Sequence, residues 1–98
     1  MIVAAAIKDK NGKIWTLPNP ARHGNIIKLI QEQGLRSISP CVQGFIDNDG
    51  KFYNRFEAAE HAVSCDQQFL CYDPLGSGKK IRRDTPELPF TLFSEDLW

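Results

Sequence analysis

Apolar residues run almost without interruption from Ile2 to Ile7, give way to Lys8-Asp9-Lys10-Asn11-Gly12-Lys13, and resume as the β-formers Ile14-Trp15-Thr16. Asn-Gly between two such runs is the strongest two-residue hairpin signal, because a primed turn needs positive φ at its centre. The pattern predicts a first hairpin. The unbroken apolarity of its leading strand predicts burial on both faces, and so a central place in a sheet. Leu17-Pro18-Asn19-Pro20 ends the second strand, since proline lacks the ladder donor and holds its predecessor extended.

The period then changes. A helix fits Pro20 or Ala21 through Gln33, with Ile26, Ile27 and Ile30 on one face and Lys28, Gln31 and Glu32 on others. Asn19 is placed to cap it, Pro20 to occupy the first helical position and Gly34 to follow its end. Gly24 weakens the first turn by up to about 1 kcal/mol relative to Ala. It marks either a loose helix start or a place where something approaches the backbone closely.

Arg36-Ser37-Ile38-Ser39-Pro40 reads as a connector and Cys41 to Ile46 as a third strand, with neither face assignable from its alternation. Asp47-Asn48-Asp49-Gly50 is a tight turn, and Lys51-Phe52-Tyr53 is the return strand of a second hairpin. A second helix starts at Asn54, which can accept from orphan N–H groups while Glu57 completes a capping box. Phe56, Ala59, Ala62 and Val63 are expected on its core face, and Glu57, Glu60 and His61 outward. Small Ala58, Ala59 and Ala62 would let it lie close to the sheet or to another subunit. Its first turn is expected to point Arg55 outward with the helix dipole behind it.

Beyond Cys65 the pattern loosens into a short strand, Gln68 to Tyr72, a turn-rich stretch, Asp73 to Gly78, and a basic arm, Lys79 to Arg83. Pro86 and Pro89 argue against a helix there. The segment Leu92-Phe93-Ser94-Glu95-Asp96-Leu97-Trp98 is apolar enough to dock, on its own sheet or on a neighbouring subunit, because burying Leu97 and Trp98 contributes several kcal/mol at about 25 cal/mol per Å². The expected fold is α+β: a small antiparallel sheet from two β-hairpins with two helices packed against it, plus a short C-terminal hairpin or extended tail, in one ligand-binding domain over residues 1–98.

Composition narrows the function. Twelve basic and twelve acidic side chains give a formal net charge of zero, which argues against general binding to polymeric nucleic acid. No apolar run approaches a membrane span, and Lys8 interrupts the leading apolar run too early for a signal peptide. Cys41, Cys65 and Cys71 lack the density of a disulfide scaffold, so reduced thiols in a cytosolic protein are expected.

Metal and catalytic readings find little support. His61 and Cys65 share a helical face, but zinc sites pair cysteines closely and no such pair exists, so no metal or other cofactor is expected. Gly76-Ser77-Gly78-Lys79-Lys80 resembles the end of a phosphate loop, yet Asp73 and Lys80 stand where Gly and Ser or Thr belong. Glu95 and Asp96 would diverge on an extended tail. No catalytic residue is expected. What remains is a binding inventory: Arg22, His23 and Asn25 at one helix start, Arg55 at another, Arg82 and Arg83 in the basic arm, and the aromatics Phe45, Phe52 and Phe69. Arginine pairs bidentately with phosphate, helix N-termini add donors, and aromatic faces stack on bases. In a neutral protein that combination points to a small anionic nucleotide.

The blocks Met1 to Ile7, Leu17-Pro18-Asn19-Pro20-Ala21-Arg22-His23, Gly44-Phe45 with Gly50-Lys51-Phe52, Asn54-Arg55-Phe56-Glu57-Ala58-Ala59, and Leu92 to Trp98 together resemble a family of small phage proteins, the first described type of Thoeris anti-defence protein. The resemblance spans most of the chain and rests on block order, chiefly on the Ser-Glu-Asp-Leu-Trp end. It implies a sponge that binds cyclic ADP-ribose isomers made by bacterial TIR-domain enzymes, in the cytoplasm of the infected host, without cleaving them. It also implies assembly as a homodimer or hexamer, and in some members a separate site for cyclic oligonucleotides. The segment from Cys65 to Phe90 is longer than that pattern, so the resemblance does not carry the basic-arm residues. From the chemistry of the binding inventory, Arg22, His23, Arg55 and one or both of Arg82 and Arg83 are expected on phosphates, with Asn25 and Gln68 beside them and Phe69 as base platform. The alternatives are a small nucleotide-processing enzyme, or an inhibitor acting by protein contact with Leu97-Trp98 as anchor.

Overall fold

The structure, a computed structural model, describes residues 1–34 and 42–98. Four antiparallel strands form the main sheet: β1 (Ile2–Lys8), β2 (Ile14–Thr16), β3 (Val42–Asp47) and β4 (Phe52–Asn54), in the order β2-β1-β3-β4. Helices α1 (His23–Glu32) and α2 (Arg55–Ser64) follow the two hairpins. A separate two-stranded hairpin, β5 (Phe69–Tyr72) with β6 (Lys80–Arg83), precedes a 3₁₀ turn at Ser94–Asp96. The α+β architecture and the interior place of β1 match the sequence pattern. The connector at 36–40 and Cys41 lie outside the described residues.

Strand alternation gives the sheet two unlike faces. Ile2, Ala5 and Ile7 of β1 join Phe45 of β3, Ile26 and Ile30 of α1, and Ala58, Ala59 and Ala62 of α2 in one core, completed by Phe69, Leu92 and Leu97. On the opposite face Ala6 pairs across from Gly44, and Lys8 across from Val42 and Ile14. There a Cβ added to Gly44 would come within 2.7 Å of Phe52 Cζ and would strike the Tyr53 carbonyl oxygen. Only glycine allows β4 that close.

Both helices differ in detail from their sequence pattern. Helix α1 begins at His23, not at Pro20 or Ala21, and Arg22 rather than Asn19 stands at its N-cap. The intervening residues are taken up elsewhere: Asn19 Nδ2 donates to the Val3 carbonyl at 3.0 Å, and Ala21 N–H to the Pro18 carbonyl at 3.1 Å. Gly34 does follow the helix end, with φ +85°. In α2 the expected capping box is formed, with Glu57 N–H donating to Asn54 Oδ1 at 2.8 Å and Asn54 N–H to Glu57 Oε1 at 3.0 Å. Phe56, however, is 55% exposed rather than core. The buried stripe is Ala58, Ala59 and Ala62, which continues back by helical spacing to Arg55 and leaves Phe56 roughly 110° round from its centre.

The segment from Leu92 to Trp98 docks on its own chain. Leu92 is fully buried, Trp98 Nε1 donates to the Ala21 carbonyl at 3.1 Å, and the Trp98 ring meets Phe45 edge-on at 6.3 Å. Around Glu95 and Asp96 it is not extended as expected, because Asp96 Oδ2 accepts from Phe93 N–H at 2.9 Å and closes a turn.

Candidate functional site

The stripe on each helix starts with its first residue. In α1 it runs His23, Ile26, Ile27, Ile30, and in α2 Arg55, Ala58, Ala59, Ala62, both at the i, i+3, i+4, i+7 spacing of a buried face. Packing the two helices side by side on the sheet therefore brings His23 and Arg55 together. The first turn of α1 lies there with its N–H groups and the positive end of its dipole, while α2 sends in the Arg55 side chain and spends its own first turn on the Asn54–Glu57 box.

They border a cleft of about 420 Å³ lined by Arg22, His23, Gly24, Asn25, Arg55, Phe93, Ser94 and Glu95. That volume falls within the roughly 300–1,000 Å³ of small-ligand sites. Nothing stands within 4 Å of a Cβ added at Gly24, so the missing side chain leaves the first-turn backbone bare on the cleft wall. Asn25 accepts from Arg22 N–H through Oδ1 at 2.8 Å, which sets the entry to α1.

Arg55 does not point outward. Its Nη1 donates to the Leu92 carbonyl at 2.8 Å and its Nη2 to Gln43 Oε1 at 2.7 Å, while its guanidinium lies 4.7 Å over the Phe93 ring. Leu92 N–H returns a bond to the Arg55 carbonyl at 3.2 Å, so the tail is clasped at two points. Burial lowers the Arg55 pKa from its ordinary value, and Glu95 and Asp96 work against that shift.

His23 is buried and edge-on to Phe45, with Nε2 2.7 Å from the Gly44 carbonyl. A carbonyl only accepts, so Nε2 carries the proton and Nδ1 turns a lone pair toward Arg55. Burial lowers the His23 pKa; the bond to Gly44 opposes this and the Arg55 charge adds to it. A neutral ring facing Arg55 with a lone pair offers the cleft no donor. His23 is thus a fixed wall of the site rather than a phosphate contact.

Arg22 donates from Nη2 to the Trp98 backbone oxygen at 2.7 Å and pairs through Nη1 with Glu95 Oε2 at 3.3 Å. Lys80 Nζ donates to the Glu95 backbone oxygen, and Arg83 Nη1 meets Asp96 Oδ1 at 3.2 Å. The tail is therefore held between α1 on one side and the basic hairpin on the other.

Four of the residues singled out in the sequence, Arg22, His23, Asn25 and Arg55, share this cleft. The other four, Gln68, Phe69, Arg82 and Arg83, border a different and smaller one of about 150 Å³ that Asp66 and Asp84 also line. Phe69 cannot serve as a base platform within this chain. It is 1% exposed and packs edge-on against Phe90 at 5.7 Å. The aromatic beside the arginines is Phe93, 45% exposed, which sequence reading treated only as part of an apolar tail. Its position before the Asp96-capped turn was the available signal. Leu97 is buried and Trp98 is engaged with Ala21 and Phe45, so neither is presented as an anchor for a partner.

His61 and Cys65 do meet, with Nε2 3.6 Å from Sγ, but among the described residues no group of three His, Cys, Asp or Glu side chains could hold a metal ion. Among those residues no helix is long and apolar enough to cross a membrane. A family model described as "Phage T4 y16D protein" matches residues 1–98, and the chain belongs to that family. No curated protein and no solved structure matches it.

Proposed function

We propose that this member of the phage T4 y16D family is a sponge for a cyclic ADP-ribose-type immune signal, which it holds uncleaved in the cytoplasm of the infected host. The observation that carries the reading is the meeting of the α1 N-terminus, Arg22, Arg55 and an exposed Phe93 ring at one cleft of about 420 Å³. Phosphate oxygens suit the arginines and the first-turn N–H groups, and a base suits the Phe93 face. The order of sequence blocks that resembles the Thoeris anti-defence family supports the choice of signal.

Sequestration of a scarce signal wants nanomolar binding, about 12 kcal/mol net. One stacked base and one or two charge-assisted contacts supply about half of that before ordering costs. A second copy of the chain completes the site in this reading. A separate surface, apart from the cleft, also suits self-association: Val3, Ala4, Leu17, Pro18 and Ile46 line an apolar hollow of about 400 Å³, and Val42 is 47% exposed.

Native mass spectrometry with and without cyclic ADP-ribose isomers tests both parts, followed by denaturation and weighing of the released ligand. The expected result is an oligomer that takes up ligand and returns it at its original mass. Recovery of a cleaved product makes the protein an enzyme. Failure to bind leaves inhibition by protein contact.

A further inference from the structure

The cleft contains one side chain that a purely anionic ligand would not select. Glu95 lies on its wall, 57% exposed, and its carboxylate has a single partner among the described residues, Arg22 Nη1 at 3.3 Å. Its neighbour Asp96 is spent on structure, accepting from Phe93 N–H and pairing with Arg83. Glu95 is held in place without using its side chain, because Ser94 before it is buried and Lys80 grips its backbone oxygen. The result is a positioned carboxylate at the edge of a phosphate-binding wall.

A carboxylate repels phosphate and accepts hydrogen bonds only. Its two oxygens match two adjacent hydroxyl donors, the pairing by which an acidic residue reads ribose in dinucleotide-binding folds. We infer that Glu95 determines specificity by accepting hydrogen bonds from the vicinal hydroxyls of a ribose, while Arg22 and Arg55 face the diphosphate of the same ligand. This rests on the sponge reading and narrows it to ribosyl diphosphates. Arg22 lies between the two functions: when a phosphate draws its guanidinium away, the Glu95 oxygens turn to the sugar.

The test compares wild type, Glu95→Gln and Glu95→Ala by calorimetry, using cyclic ADP-ribose and inorganic pyrophosphate as the two probes. The substitutions leave the tail contacts of Ser94, Asp96 and Trp98 intact, and circular dichroism confirms the fold. The expected signature is a crossover: affinity for cyclic ADP-ribose falls about tenfold or more, as for a lost hydrogen bond to a charged group, while affinity for pyrophosphate rises. If both affinities rise, Glu95 is only a repelling charge. If both fall or neither moves, it does not read the sugar. Any of these overturns the inference while leaving the sponge reading standing. A wild-type protein that binds neither probe overturns both.

Discussion

Nη2 of Arg55 lies 3.5 Å from Nδ1 of His23 across 32 residues of sequence, and each of the two is the first residue of its helix. The contact joins the two helix starts, the β3 strand through Gly44 and Gln43, and the tail through Leu92. A change at either residue is felt in all of them.

Replacing Arg55 by lysine keeps a charge but loses the planar fork that reaches Leu92 and Gln43 together. A loss of about 1–3 kcal/mol in urea unfolding is expected. Amide exchange from Leu92 to Trp98 should accelerate more than in β1, and equal acceleration in both would show that the clasp is not local.

The lowered pKa of His23 makes stability depend on pH. Its folded pKa lies below the ordinary value of 6.5, so below that value the unfolded chain binds a proton that the folded chain resists. Stability therefore rises with pH in this window and is lost as pH falls from about 6.5 toward the folded value. His23→Gln should flatten that slope in unfolding curves collected between pH 5 and pH 7.5.

Gly44→Ala places a methyl against the Tyr53 carbonyl oxygen and the Phe52 ring, and the carbonyl is backbone that cannot rotate away. Destabilisation of about 2–4 kcal/mol is expected. A fall in melting temperature no larger than that of a surface substitution would mean that β4 shifts easily.

Phe93→Ala should cost only about 1 kcal/mol of stability, chiefly the contact with Arg55, because the ring is 45% exposed. Ligand affinity should fall by about 1–3 kcal/mol, the worth of one stacked base. Phe69→Ala should behave oppositely, costing about 3–5 kcal/mol of stability through a buried cavity.

Much of the fold was legible because it was local. Asn11-Gly12, the Asp47–Gly50 turn and the Asn54–Glu57 box each lie within a few residues of sequence, and the hairpins and cap formed where their pattern placed them. The first hairpin, however, closes through a longer Asp9–Lys13 turn, with positive φ at Gly12 and not at Asn11, rather than a two-residue primed turn. The start of α1 was not legible, since Asn19 is drawn to Val3 and Ala21 to Trp98, partners 16 and 77 residues away. Arg55 was misread for a related reason. A charged residue on a stripe of alanines looks solvent-facing until the tail supplies a carbonyl to receive it. The grouping of Arg22, His23, Asn25 and Arg55 followed from two helix starts, whereas Phe93 and Glu95 joined them only through the docking of the tail.

That docking gives the site a place in time. Residues 93–95 form one wall of the cleft, and they are translated after both helices and every strand that the other walls require. The cleft is complete only once the segment that Arg22 and Arg55 hold has docked.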